Sequence, residues 1–199
     1  ENDFVCDLVA RDEAGATAEE RERHTERYEA FMQFRHEAAM RLYRGLYGML
    51  GCYDLMRLKW DFDIGCYYNL WFDPYLKDQY LDEPFLRRQI RQQRFVLQAL
   101  QNFNDLFRAA ERHLRETGQY HRNNTGIFSH GLTNLDFLHE VGLPRTQRVV
   151  LGKTAEIFNA VRHKALGFMD CESGDDLPLT AMMTPQPLVP PARRGPAAG

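Results

Sequence analysis

No apolar run in this sequence approaches the ~18 residues needed to cross a bilayer, and no signal peptide is visible at its start. The expectation is therefore an intracellular protein, of cytoplasm or nucleus, with no membrane span. Cysteine is sparse, and Cys6, Cys52, Cys66 and Cys171 are scattered without a C-x-x-C pair. That pattern argues for buried thiols in a reducing compartment and against a disulfide framework. Strong positive charge is missing as well. The formal net charge is −3 and the pI is about 6.2, whereas a dedicated nucleic-acid binder usually shows a strongly basic balance. Sustained alternation of period two is absent, so strands are not expected. Proline is rare until late: six of the nine lie after residue 177.

What remains is helical patterning. Thr17-Ala18-Glu19-Glu20 reads as a capping box, Thr17 capping and Glu20 reaching back. Tyr28, Phe31, Met32, Ala39, Leu42, Leu46, Met49 and Leu50 then recur by threes and fours, with Phe34, Ala38, Tyr43 and Tyr47 widening the stripe, and Gly51 is the expected end. A second long helix starts at Pro84, with a stripe from Phe85 through Ile90, Leu97, Leu100, Phe103, Phe107 and Ala110 to Leu114 and a stop at Gly118. Residues 118–132 read as a loop, Thr133 to Gly142 as a short helix, and Pro144 to Gly167 as the last helix, with Val150, Ile157, Val161 and Phe168 on one face. The fold class expected is all-α, an irregular bundle of five or six helices. Residues 1–16 are expected to be an extension, 17–169 the helical domain, and 170–199 a proline-rich disordered tail or linker. The chain begins with Glu, and the expectation is a piece of a longer protein.

Charge and aromatic residues are segregated. Residues 54–83 carry seven acids against three bases, and residues 84–116 carry seven Arg against three acids. Arg87, Arg88, Arg91 and Arg94 crowd the first turns of the second long helix, where the helix dipole favours acids; the Asp-rich stretch upstream is the expected compensation. Nine of the 24 aromatic residues, both tryptophans among them, lie between Tyr53 and Tyr80. Gly65 and Asp73-Pro74 interrupt that segment, so a single straight helix is not expected. Trp60, Tyr67 and Leu70 are expected inward. Trp71, Phe72 and Tyr75, with Asp73 and Tyr68, are expected on a surface that binds a protein partner, because exposed Trp and Tyr anchors often dominate binding.

Other motifs carry less. Residues 134–154 have the outline of a helix-turn-helix, in which Arg145, Thr146, Gln147, Arg148 and Lys153 would face nucleic acid; Leu138 and Arg148 depart from the pattern. Gly152-Lys153-Thr154 ends like a phosphate loop, but Gln147 stands where its first glycine is required and no strand precedes it. The seven histidines form no H-x-x-x-H or E-x-x-H pair, so no metal site and no cofactor is expected. Asp54, Asp61, Asp63 and Asp73 allow an acidic site only if something fixes their geometry. Asn123-Asn124-Thr125 is a glycosylation triplet without a secretion signal, and Pro187-Leu188-Val189-Pro190 is a P-x-x-P core. The segment Leu81 to Ile90 resembles, with a one-residue insertion, a segment in the first subunit of the THO messenger-export complex; the likeness ends with those residues, and no family is assigned from it. The leading expectation is a non-catalytic interaction or regulatory domain with a protein partner. The second is a nucleic-acid-binding, transcription-regulatory domain, and the third an all-α enzyme with an acidic, His-assisted site. A homodimer is compatible with each.

Overall fold

The structure is a computed structural model that describes residues 1–125 and 147–190, with the backbone alone for 147–150. It is all-α, and the described residues contain no strand. In chain order the elements are α1 (Asn2–Glu13), α2 (Ala18–Tyr43), a 3₁₀ turn (Tyr47–Gly51), α3 (Tyr53–Tyr67), a π-helical turn (Tyr68–Phe72), α4 (Asp73–Leu76), α5 (Glu83–Glu116), α6 (Gln147–Phe168) and α7 (Leu179–Met182). No helix among the described residues is long and apolar enough to cross a membrane.

The Thr17 capping box forms in both directions. Thr17 Oγ1 accepts from the Glu20 amide at 3.2 Å, and Glu20 Oε2 accepts from the Thr17 amide at 2.9 Å, satisfying two donors that the first turn leaves unpaired. α2 ends earlier than expected. Gly45, not Gly51, stops it, at a φ of +76° that glycine adopts without strain. Tyr43 and Tyr47 are exposed as a result. Asn104 of α5 holds that end, its Nδ2 donating to the carbonyls of Arg41 at 2.9 Å and Arg44 at 3.1 Å.

α5 starts as expected at Pro84, behind an Asp82 cap whose Oδ2 accepts from the Phe85 amide at 3.2 Å. Its stripe is buried at Phe85, Leu100, Phe103, Phe107, Ala110 and Leu114 and half-buried at Ile90 and Leu97. The compensation expected for its Arg cluster is absent from the aromatic segment. Arg87 pairs with Glu83 of its own helix, and Glu83 also meets Arg27 of α2 at 3.0 Å. α5 packs chiefly on α2, and α3 chiefly on α6. The two pairs meet where Phe62, Phe103 and Phe158 cluster, with ring centroids 4.5 to 4.8 Å apart. Close ring pairs of this kind add to area burial.

The packed body reaches past residues 17–169 on both sides. α1 lies on α2 through buried Phe4, which stacks on Tyr28 at 4.4 Å. At the other end, residues 173–190 form a strap across α5 and α6. Three buried polar side chains hold its backbone. Arg162 donates to the carbonyls of Ser173 at 2.6 Å and Asp175 at 3.1 Å. Asn159 exchanges two hydrogen bonds with Leu177, and Asn102 donates to Met182 at 2.8 Å and Thr184 at 2.7 Å. Met182 and Leu188 fill the core beneath. Prolines keep the strap from being one helix, yet they do not prevent docking once its carbonyls have donors. Leu188 of the P-x-x-P core is thereby buried in its own chain. This docked strap replaces the expected disordered tail as far as residue 190, and residues 191–199 lie outside those described.

Candidate functional site

α3 is apolar on two opposite faces. Leu55, Leu58, Phe62 and Cys66 point into the core. Tyr53, Met56, Trp60, Ile64 and Tyr67 recur at the same helical spacing on the other side. Trp60 is 45% exposed and Tyr67 is 56% exposed, while Tyr53, Met56 and Ile64 are half-buried. This reverses the inward placement expected for both rings. With large apolar residues on both faces, helical periodicity cannot say which face wins; Phe62 meeting Phe103, Phe107 and Phe158 decides it.

The outer face continues through the π-helical turn. Pro74 has no amide hydrogen to give Leu70, and the helix widens just before it, with the Asp73 amide donating to Tyr68, five residues back. Asn69 Nδ2 donates to the Gly65 carbonyl at 2.8 Å within the same turn. Gly65 does not break α3, contrary to expectation; it sits against Ile157 of α6. The widened turn brings Trp71 and Phe72 close to Tyr67, each nearly parallel to it, at 6.4 Å and 6.1 Å. Tyr75 follows at 64% exposure, with exposed Leu76 next to it in sequence. Tyr80 pins the turn by donating its hydroxyl to the Trp71 carbonyl at 2.7 Å.

Of the residues expected on this surface, Tyr75 is fully on it, and Trp71 and Phe72 are partly on it, Trp71 also packing against the core. Tyr68 is not: it is buried, beside Phe72 at 5.8 Å. Asp73 turns the other way, into an ion pair with Lys77 at 2.7 Å. Trp60, Tyr67 and Tyr68 are residues that sequence reasoning places on the wrong side.

The acids of this stretch are mostly engaged internally. Asp54 holds Arg122 at 3.2 Å and Asn123, Asp63 pairs with the buried Lys59, and Asp61 lies 3.9 Å from Lys164. Burial raises the Asp63 pKa against the lowering pull of Lys59. Burial likewise pushes the Cys66 thiol well above its ordinary value, which keeps it protonated and unreactive. Among the described residues no group of three His, Cys, Asp or Glu could hold a metal ion. Of the residues proposed for nucleic acid, Arg145 and Thr146 lie outside the described residues, as does the preceding helix of the motif. Gln147 and Arg148 open α6, with side chains not described, and Lys153 pairs with Glu156 at 2.8 Å.

Behind the aromatic face, between the π-helical turn, α5 and α6, is a cavity of about 220 Å³. Comparison with family models, with curated proteins and with solved structures finds no match to this chain.

Proposed function

We propose that this chain is a helical interaction domain that docks a protein partner on the aromatic face formed by Trp60, Tyr67, Trp71, Phe72 and Tyr75. The observation that carries the reading is Tyr67, more than half exposed yet with two near-parallel rings within 6.4 Å of it. Rigid Tyr and Trp rings offer large contact area at little entropic cost, and such residues are enriched among binding hot spots. The neighbouring acids support an apolar partner surface over a charged one, because their pairs lie inside the domain. Asp78 is the acid of residues 54–83 for which the described residues show no partner. The π-helical turn adds support, since such turns are frequent at functional sites.

The test is affinity capture with the intact chain, with and without nuclease, washed at rising salt. A partner held by rings stays bound as salt rises and is indifferent to nuclease. Capture lost with nuclease, or falling steeply with salt through counterion release, would overturn the protein-partner reading in favour of nucleic acid.

A further inference from the structure

The cavity behind the aromatic face is built of two unlike parts. Its body is apolar, with Leu70, Phe85, Leu100 and Phe158 from the helices and Leu179 and Met183 from the strap. Its mouth is bounded by exposed Gln92 and Leu151. One end is cationic. Arg88 lines it, with its guanidinium 5.6 Å over the Phe85 ring. Arg88 Nε is shut off from solvent without an acceptor, and among the described residues no carboxylate pairs with this guanidinium. The terminal nitrogens Nη1 and Nη2 are not among the shut-off atoms, and an anion that meets them from the cavity would neutralise the charge.

Gln89 stands beside Arg88 on the same wall and is oriented from behind. Arg35 is 4% exposed, sits 4.7 Å and 4.8 Å from the faces of Phe31 and Phe34, and donates through Nη2 to Gln89 Oε1 at 3.2 Å. With its oxygen turned to Arg35, the Gln89 amide has its NH₂ group left to give. The other charged groups on the wall, Lys77 and Asp73, neutralise each other. The cavity thus combines an unneutralised guanidinium, an amide donor and an apolar body. A bare anion such as phosphate has no apolar body to fill the rest of the cavity.

We propose that this cavity binds a small amphiphilic carboxylate, the carboxylate on Arg88 with Gln89 as second donor and the apolar body against Leu70 and Phe158. The planar guanidinium fork suits a carboxylate in two-point contact. A dry cavity of about 150 Å³ holds benzene, so this one has room for a ring bearing a short chain. The site is independent of the aromatic face, and either reading stands without the other.

Phenylpropionate is the probe, with phenylpropanol as its uncharged match and inorganic phosphate as a bare anion. Titration of the intact chain by calorimetry is expected to show the carboxylate bound about tenfold more tightly than the alcohol, the value of one charge-assisted contact, and phosphate not bound. Amide-proton spectra should place the largest shifts at the Gln89 side chain and around Phe158. Arg88→Met, checked for fold by circular dichroism, should abolish the preference for the carboxylate while leaving the alcohol unchanged, and Arg88→Lys should keep part of it. Equal binding of acid and alcohol, no binding of the acid at millimolar concentration, tighter binding of phosphate, or shifts confined to another region each overturn the proposal. So does an undiminished preference in folded Arg88→Met protein.

Discussion

The proline-rich strap and the aromatic segment contradict their compositions in opposite ways. Residues 173–190 hold four of the six late prolines and no aromatic residue, yet Met182 is fully buried and Leu188 nearly so. Residues 60–75 hold the densest run of rings in the chain, yet Trp60, Tyr67 and Tyr75 stand out in solvent. The difference is in what each segment meets. The strap's carbonyls find Asn102, Asn159 and Arg162 waiting on two helices, so extended backbone docks without unpaired groups. α3 has apolar residues on two opposite faces and a packing partner, α6, for one of them. Burial follows the availability of a complementary surface, and an apolar face without one is a candidate interface.

The largest contrast is expected inside α3. Phe62→Ala should cost about 3–5 kcal/mol, as for other buried rings, and Trp60→Ala, two residues away, should stay within about 0.5 kcal/mol. Urea unfolding of the pair gives the answer, and equal losses would mean that the outer face is core. The strap offers the matching test. Met182→Ala should destabilise by about 2–5 kcal/mol and Tyr67→Ala by about 0.5 kcal/mol or less, an ordering opposite to what proline and aromatic content suggest. A strap that merely rests on the surface would show no loss at Met182.

Smaller effects sharpen the picture. A Cβ on Gly65 would meet Ile157 at 3.6 Å, an ordinary contact. Gly65→Ala should therefore stabilise α3 by about 0.5–1 kcal/mol through helix propensity alone; destabilisation in thermal melts would show that α3 and α6 need the closer approach. The docking of α1 should carry an acid dependence. Burial raises the Asp7 pKa, but hydrogen bonds from Arg11 at 2.6 Å and Tyr28 at 2.6 Å, with the Arg11 charge, outweigh it and leave it lowered. A folded-state pKa below the unfolded one gives stability that is present above about pH 4 and lost as pH falls through the folded value. Asp7→Asn should flatten that acid slope. Tyr28, held up to about 12 by burial and by Asp7, works at the other extreme: its contribution is present below about pH 10 and lost as pH rises through the folded value.

Local signals are legible in the sequence where the chain answers to its own neighbours. Thr17 with Glu20, Pro84 behind Asp82, and the stripe from Phe85 to Leu114 all act within a few residues or along one helix. Long-range decisions are not. Gly45 and Gly51 look alike until Asn104 is seen to hold the Arg41 and Arg44 carbonyls. Asn102, Asn159 and Arg162 read as ordinary polar helix residues because their partners are backbone carbonyls far along the chain. For the candidate site, Tyr75, Trp71 and Phe72 are legible from the break at Pro74. Trp60, Tyr67 and Tyr68 are not, because rings on every side of a helix leave no period to read.

The most direct measurement of the central claim is partner retention by the double variant Tyr67→Ser/Tyr75→Ser, quantified by mass spectrometry beside its melting temperature. The expected result is that specific proteins held by the wild-type chain are lost while the melting temperature is nearly unchanged. Retention of the same proteins by a folded variant would contradict it, and so would a collapse of the melting temperature, which would show these rings to be part of the core.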